Sequence, residues 1–489
     1  MRATATGILA VALTALLPLD PALGQAGPQQ PPSTVGMIRK DKAPVSDAVL
    51  QVRLPHPQEA TLPNGLRVMV LEDHRLPRIS FQLMIPAAGG YHDPAAMVGL
   101  SGFTAQMMRE GTATRSSQQI SQALETMAAG LNLGSGTAAT MATRSGGALT
   151  ENFDRLFELA ADVLLHPSFP ADEWDRLKTR TRAGLIQQRT QPQFLAQERF
   201  SKVVFGDHPA ARMSATPETL DAITRDAMIE CHRTRFVPDH ALIAFAGDIT
   251  LAGARTLVES RLGTWKKAGV PKPKVTEPAS AGPGKGYLVT RPSSVQTTFV
   301  VGGQSMTRTD PDYVPLTVAN RVLGGTMGRL FRHLREEKGY TYGVGSFFSA
   351  GEHRGQWLAN TSVRTEVTEA ALTDLLADIE AMRTTPVPEQ ELNDHKRAVV
   401  ASFALSLESP EQLLGYYVQS WMYGLPADYW DKYPARISAV TAAQAQAAAN
   451  KYWDPSKLQV VAVGDAKITE IMKKRGPVEL YDADGKPTP

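Results

Sequence analysis

A chain of 489 residues with 51 basic and 49 acidic side chains carries a formal net charge of +2, which gives no electrostatic reason to propose nucleic acid or anionic membrane as a partner. That length exceeds one ordinary core and predicts at least two domains, with 43% hydrophobic residues as core material. A single cysteine, Cys231, excludes an intramolecular disulfide.

In chain order, Arg2, the apolar run Ile8 to Leu19 and the small-x-small triplet Ala22-Leu23-Gly24 read as a secretory signal peptide, residues 1–24, with a rival cut after Ala26. The apolar run is too short for a membrane span and no later run is long enough, so the mature protein is expected to be periplasmic or secreted. Residues 25–53, which include GPQQPPS, read as a flexible or polyproline-like leader. Strands are predicted at Leu66 to Leu71, after the Asn64-Gly65 turn, and at Ile79 to Ile85. Helices follow near Leu100 to Arg109 and Ser117 to Ala128, then two short β-type segments around Asn132 and Thr137 to Thr143. Helices come next at Glu151 to Leu165 and at Ala171 to Gln188, the second bounded by Pro170 and Pro192. Cys231 is expected to pack in a helix from Met228 to Arg235.

A repeat divides the chain. Ala222-Ile223-Thr224 precedes FVPDHALIAFAGDIT, and Ala439-Val440-Thr441 precedes YWDPSKLQVVAVGDAK; Pro238 and Gly247 match Pro455 and Gly464 at one offset of 217. Each copy reads as helix, Pro-initiated turn, buried strand and Gly-Asp opening onto another helix. Residues 54–265 and 286–474 are therefore expected to be duplicated domains, joined by a Pro/Lys/Gly/Ala-rich linker at 266–285 and followed by a tail at 475–489. Strands and helices come in groups rather than in regular βαβ alternation, which predicts α+β domains with mainly antiparallel sheets.

The segment GGTMGRLFRHLREEKGYTYGV, Gly324 to Val344, carries the most chemistry. Leu330, Phe331 and Leu334 predict a helix from Met327 to Lys338 with Gly339 as its C-cap, and Tyr340, Tyr342 and Val344 predict a strand continuing to Phe347 and Phe348. Arg335 and Tyr342 then flank one tight turn. A guanidinium and a phenol held together can donate to an oxygen that becomes negative in acyl transfer; the alternative is a last-turn arginine beside a half-buried strand tyrosine. Glu336 and Glu337 read as a solvated face, and His333 as a surface or packing residue. The ten histidines are scattered, with no i, i+4 pair and only Glu352-His353 as an isolated loop neighbour pair.

Several ordered passages, LPNGLRVMVLEDHRLP, GLSGFTAQMMREGTATRS, LHPSFPADEWDRLK, both Gly-Asp repeats and the Gly324 segment, resemble the pitrilysin/insulinase-type peptidases of family M16 from about Leu54 to Lys474. The likeness is to the mitochondrial processing peptidase and bacterial two-subunit branch. It implies two homologous α+β domains per chain, four of which, from two chains, form a clamshell around a chamber. Members that cleave carry His-x-x-Glu-His in the first domain's early helix. Here Gly102, Ala105 and Gln106 stand at those three positions within the frame Gly99 to Thr112. The later glutamate ligand would fall near Ala183 or Gly184, with Asp175 and Glu198 the nearest acids. No metal is therefore expected on this chain, and zinc is expected on a partner. Arg335 and Tyr342, seven residues apart, match the family's pair that contacts the substrate backbone. The resemblance thus implies a non-metal, substrate-binding subunit that pairs with a zinc-motif-bearing homologue and takes unfolded or short peptides. A non-catalytic scaffold with the same fold and an autonomous peptidase with an unusual metal site are the alternatives. Glycine-rich Gly134 to Gly147 is a candidate sheet edge for strand addition by an extended peptide, as in the family.

Overall fold

At Asn64-Gly65 the chain reverses as its sequence predicts: Gly65 adopts φ +84° and donates its N–H to Leu62 O at 2.8 Å, a backbone conformation that disfavours a side chain. This turn joins β1 (Gln58–Thr61) to β2 (Arg67–Glu72) in a computed structural model that describes residues 49–488. The predicted signal peptide, 1–24, and most of the leader, 25–53, lie outside the described residues. Among the described residues no helix is long and apolar enough to cross a membrane.

The first sheet adds β3 (Arg78–Ile85), β4 (Gly130–Gly134), β5 (Ala142–Leu149) and β6 (Leu242–Gly247) in the order β1-β2-β6-β3-β5-β4. The second contains β7 (Gly286–Thr290), β8 (Gln296–Gln304), β9 (Thr341–Phe348), β10 (Gln356–Arg364), β11 (Gln459–Gly464), β12 (Val478–Tyr481) and β13 (Pro487–Thr488). Its order, β13-β12-β7-β11-β8-β10-β9, repeats the first sheet's core of β2-β6-β3-β5-β4 strand for strand. The repeat read from sequence coincides with β6 and β11, each parallel to one neighbour (β2 or β7) and antiparallel to the other (β3 or β8). Most other pairings are antiparallel, so the α+β class expected from the sequence is the observed one.

β2 explains why some strands read as continuous apolar runs. Val68 and Val70 enter one core while Met69 and Leu71 enter another, so both faces of the strand are covered. The second cover comes from the other half of the chain. Helix Pro410–Tyr423 lays Leu413, Leu414, Tyr417 and Val418 into the cluster that holds Met69, Leu71, Leu242 and Ala244. Reciprocally, helix Pro192–Phe205 lays Leu195, Phe200 and Val204 against Val300, Leu358 and Val461 of the second sheet. Each of these exchanged helices opens on a proline at its first position, where the absent N–H costs nothing. At roughly 1.5–3 kcal/mol per fully buried aliphatic side chain, this exchange is a principal tie between the halves.

The stretch 266–284 has no regular secondary structure, yet it is pinned: Thr276 N donates to Tyr91 Oη at 3.0 Å and Glu277 pairs with Arg354 at 3.1 Å. Residues read from sequence as a tail, 475–489, supply β12 and β13, because Val478 to Tyr481 find an open parallel edge on β7. The β-type segment expected at Thr137 to Thr143 is displaced C-terminally to β5, and β4 is the outer strand at that end of the first sheet; of the expected edge Gly134 to Gly147, only Gly134 sits on it. Cys231 is buried, and that burial pushes its thiol pKa up.

Candidate functional site

In each half two helices lead from an inner strand to an outer one: Leu100–Met108 and Ser117–Thr126 run from β3 to β4, and Tyr313–Gly324 and Phe331–Glu337 from β8 to β9. In the first half, the corner where the zinc motif would stand is formed by helix Leu100–Met108 and β4. Asp93, wholly buried, fixes the start of this helix: it accepts from Ser101 Oγ at 2.6 Å, from Ser101 N and Gly99 N at 3.1 Å, and from Arg235 at 2.9 Å. These bonds satisfy orphan N–H groups of the helix's first turn. Gly102 and Ala105 are buried on this helix and Gln106 is exposed. Neither Gly102 nor Ala105 has a side-chain donor atom for a metal. The position of Gly102 is also closed by backbone, since a Cβ built there would stand 2.7 Å from Ser135 O. The loop carrying Ser135 is tied down by Gly90 N to Ser135 Oγ at 2.8 Å, Tyr91 N to Ala139 O at 2.9 Å, and Thr137 Oγ1 to Arg212 O at 2.7 Å. Ala183, Gly184 and Asp175 are exposed on helix Ala171–Gln188, and Glu198 pairs with Arg189 at 2.6 Å. The residues present do not fit a family-type zinc site.

In the second half, the corner that carries Arg335 lies between β9 and the second helix, the counterpart of Ser117–Thr126, and it is open. The helix predicted from Met327 begins instead at Arg329, because Met327 adopts φ +62° in the turn after Gly324-Gly325, and Phe331–Glu337 winds as a π-helix. Leu330 and Leu334 enter the core as the apolar stripe predicted, whereas Phe331 is only half-buried. The outer face is clamped. Arg329 makes a two-pronged contact with Glu391 at 3.0 and 2.7 Å, Arg332 joins at 3.1 Å, and His333 Nδ1 lies 3.0 Å from Asp378. The Arg329 guanidinium holds the Glu391 carboxyl below its ordinary value, while burial pushes Asp378 up.

Beyond Gly339, at φ +61°, the chain turns into β9, the outer strand. The ladder to β10 runs in register from Phe348 to Val344 and then slips, so that Val344 faces Thr361 but Thr341 faces Val363. Tyr342 and Gly343 form the bulge. Thr341 Oγ1 and Thr361 Oγ1 donate to Gly343 O at 2.9 and 3.0 Å and hold it open. Tyr342 is consequently 89% exposed, not half-buried. Arg335 reaches back to it from the π-helix, its guanidinium carbon 4.9 Å from the Tyr342 ring centre and 4.7 Å from that of Phe331. Its one ion-pair contact among the described residues is Nε to Glu336 at 3.6 Å.

This pair stands beside a cleft of about 1380 Å³ that follows β9 and is walled by Phe331, Tyr340, Tyr342, Phe347, Asn360 and Ser362, among others. The two residues singled out by sequence are thus in contact. Phe331 was missed, since an aromatic in a helical stripe reads as core; the bulge did carry a signal, the glycine inside a strand pattern at Gly343.

Histidines distant in sequence also meet. Around Tyr91 the rings of His92, His208 and His353 lie at 5.1, 5.5 and 5.9 Å, and His208 Nε2 is 3.1 Å from Tyr91 Oη, joining both halves and the linker. Among the described residues no group of three or more His, Cys, Asp or Glu side chains is arranged to hold a metal.

Comparison with known proteins places this double-corner fold. Residues 67–218 match the model described as insulinase, peptidase family M16, and residues 222–399 match that of the peptidase M16 inactive domain. The chain belongs to peptidase family M16. Within the family, an uncharacterized zinc protease, YmxG, of Bacillus subtilis is 24% identical over 71% of this chain and 84% of its own length. Another, from Mycobacterium leprae, is 27% identical over 58% of this chain and 64% of its own. Among solved structures, a peptidase M16 inactive domain from Pseudomonas fluorescens superposes with a TM-score of 0.78 at 28% identity, covering 84% of this chain and 98% of that one. The periplasmic protease PqqL of Escherichia coli shares the fold, with a TM-score of 0.72 at 16% identity, over 87% of this chain and 47% of that one.

Proposed function

We propose that this protein is the non-metal, substrate-binding subunit of an exported, two-chain M16-type zinc endopeptidase that degrades unfolded or short peptides. The observation that supports this reading most is the contrast within one chain: Arg335 and Tyr342 meet at an open corner beside a large cleft, while Gly102, Ala105 and Gln106 stand where the zinc motif would be in the first half. A peptide lying along β9 puts a backbone carbonyl within reach of the Arg335 guanidinium and the Tyr342 hydroxyl. The Arg335 guanidinium already stands 4.9 Å from the centre of the Tyr342 ring, which brings the two donors together before the substrate arrives. A partner M16 chain bearing the zinc motif supplies the metal and the attacking hydroxide. The exported, periplasmic or secreted location belongs to the same proposal and rests on the N-terminal sequence.

Purified chain mixed with a zinc-motif-bearing M16 homologue from the same genome should cleave an unfolded peptide that neither component cleaves alone. Arg335→Ala in this chain should then lower kcat by about 100- to 1,000-fold, the cost of losing one oxyanion donor. Unchanged cleavage with Arg335→Ala would leave a scaffold as the better description.

A further inference from the structure

The cleft beside Arg335 has an unusual charge composition. Among the described residues that line it there is no aspartate or glutamate, and its charged residues are two arginines, Arg321 and Arg364. Neither makes a side-chain hydrogen bond or ion pair with any described residue, and Arg321 Nε is buried without an acceptor. The rest of the Arg321 side chain is partly exposed and Arg364 is exposed, so both guanidinium groups stay open to a ligand carboxylate. The two arginines lie toward opposite ends of β9. Arg364 follows Val363, which faces Thr341, whereas Arg321 follows Asn320, whose amide donates to Ser346 O at 3.1 Å.

The rest of the wall is aromatic or neutral. Aromatic faces attract cations as well as apolar groups, but here several are taken by the protein's own cations. Arg335 covers Phe331 and Tyr342, and Arg308 lies 3.9 Å from the centre of Tyr313. A lysine or arginine of a ligand therefore meets like charge and no carboxylate, while an acidic group meets unpaired guanidinium. Phe347, 61% exposed, and Tyr340 remain for apolar side chains.

We propose that this cleft selects peptide segments that combine aromatic or aliphatic side chains with a carboxylate, taken by Arg321 and Arg364, and that it discriminates against lysine- and arginine-rich segments. The inference rests on the peptide-binding reading of the Arg335 corner and specifies its substrate class. The carboxylate comes from an Asp or Glu side chain or from the peptide's C-terminus.

The test is fluorescence anisotropy with the full chain and a set of short labelled peptides that share a Phe/Ala framework. Glu, Gln or Lys occupies the variable positions with an amidated end, and the Gln peptide is also made with a free C-terminus. The Glu peptide or the free-acid Gln peptide should bind at least about tenfold more tightly than the Lys peptide at low salt, with the gap narrowing as salt rises. A gain for Glu assigns the arginines to side-chain carboxylates, and a gain for the free acid assigns them to the terminus; either supports the proposal. Arg321→Gln and Arg364→Gln, each checked for an unchanged melting temperature, should shrink the preference by about three- to fivefold. Equal binding of all peptides, tightest binding of the Lys peptide, or a preference unmoved in both variants overturns the selectivity while leaving peptide binding intact. Failure of every peptide to bind overturns the peptide-binding reading itself.

Discussion

Two corners, one in each half and built on different helices of the repeat, are finished in opposite ways. In the first half, helix Leu100–Met108 meets the β4 side of its sheet with small residues and a carbonyl seated over Gly102. In the second half, the helix is wound as a π-helix and the outer strand carries a bulge, and these two irregularities present Arg335 and Tyr342 to each other. Regular structure would separate them, because an unbroken strand would return Tyr342 to the ladder. π-Helices and strand bulges often lie at functional sites, which is consistent with the role proposed for Arg335 and Tyr342.

The largest expected effect lies under the closed corner. Asp93→Ala removes the acceptor shared by Ser101, Gly99 and the partly buried Arg235, and should cost about 3–5 kcal/mol in denaturant unfolding. A loss below about 1 kcal/mol would mean that the first corner is not held by this network. Next, the combined change Gly102→His, Ala105→Glu and Gln106→His should fail to bind zinc in equilibrium dialysis and should destabilise by about 1–3 kcal/mol through overpacking against Ser135. Stoichiometric zinc in that variant would show the closure to be superficial.

The clamp behind the open corner is worth less. Glu391 is held below its ordinary pKa by Arg329, so its contribution is fully present above the unfolded carboxylate value and is lost as pH falls through the lower folded value. Glu391→Gln should cost about 1 kcal/mol at neutral pH, after allowance for solvent screening, and the gap to the parent chain should close below about pH 4. A gap that stays constant across that range would remove the ion pair from the account. Smallest of all, Tyr342→Phe should leave stability within about 0.5 kcal/mol, since the ring is exposed. A larger loss would give Tyr342 a structural duty.

Much of this arrangement was legible in the residues. The repeat at Gly247 and Gly464 located equivalent strands because a buried strand between a proline turn and a Gly-Asp exit leaves a dense local pattern. Arg335 and Tyr342 could be placed on either side of one turn from their spacing, whereas the reading of Gly102, Ala105 and Gln106 came from the family resemblance. What escaped was long-range. Nothing local announces that helices Pro192–Phe205 and Pro410–Tyr423 cross to the opposite sheet, that Ser135 lies over Gly102, or that His92, His208 and His353 gather around Tyr91. The π-helix was also hidden, because Leu330, Phe331 and Leu334 satisfy an α-helical stripe as well as a wider turn.

Hydrogen exchange on the full chain with a bound unfolded peptide tests the division between the corners most directly. The account predicts slowed exchange across residues 331–348, covering the π-helix and β9, with residues 130–134 of β4 unchanged. Protection confined to β4, with 331–348 exchanging as in the free chain, would contradict it.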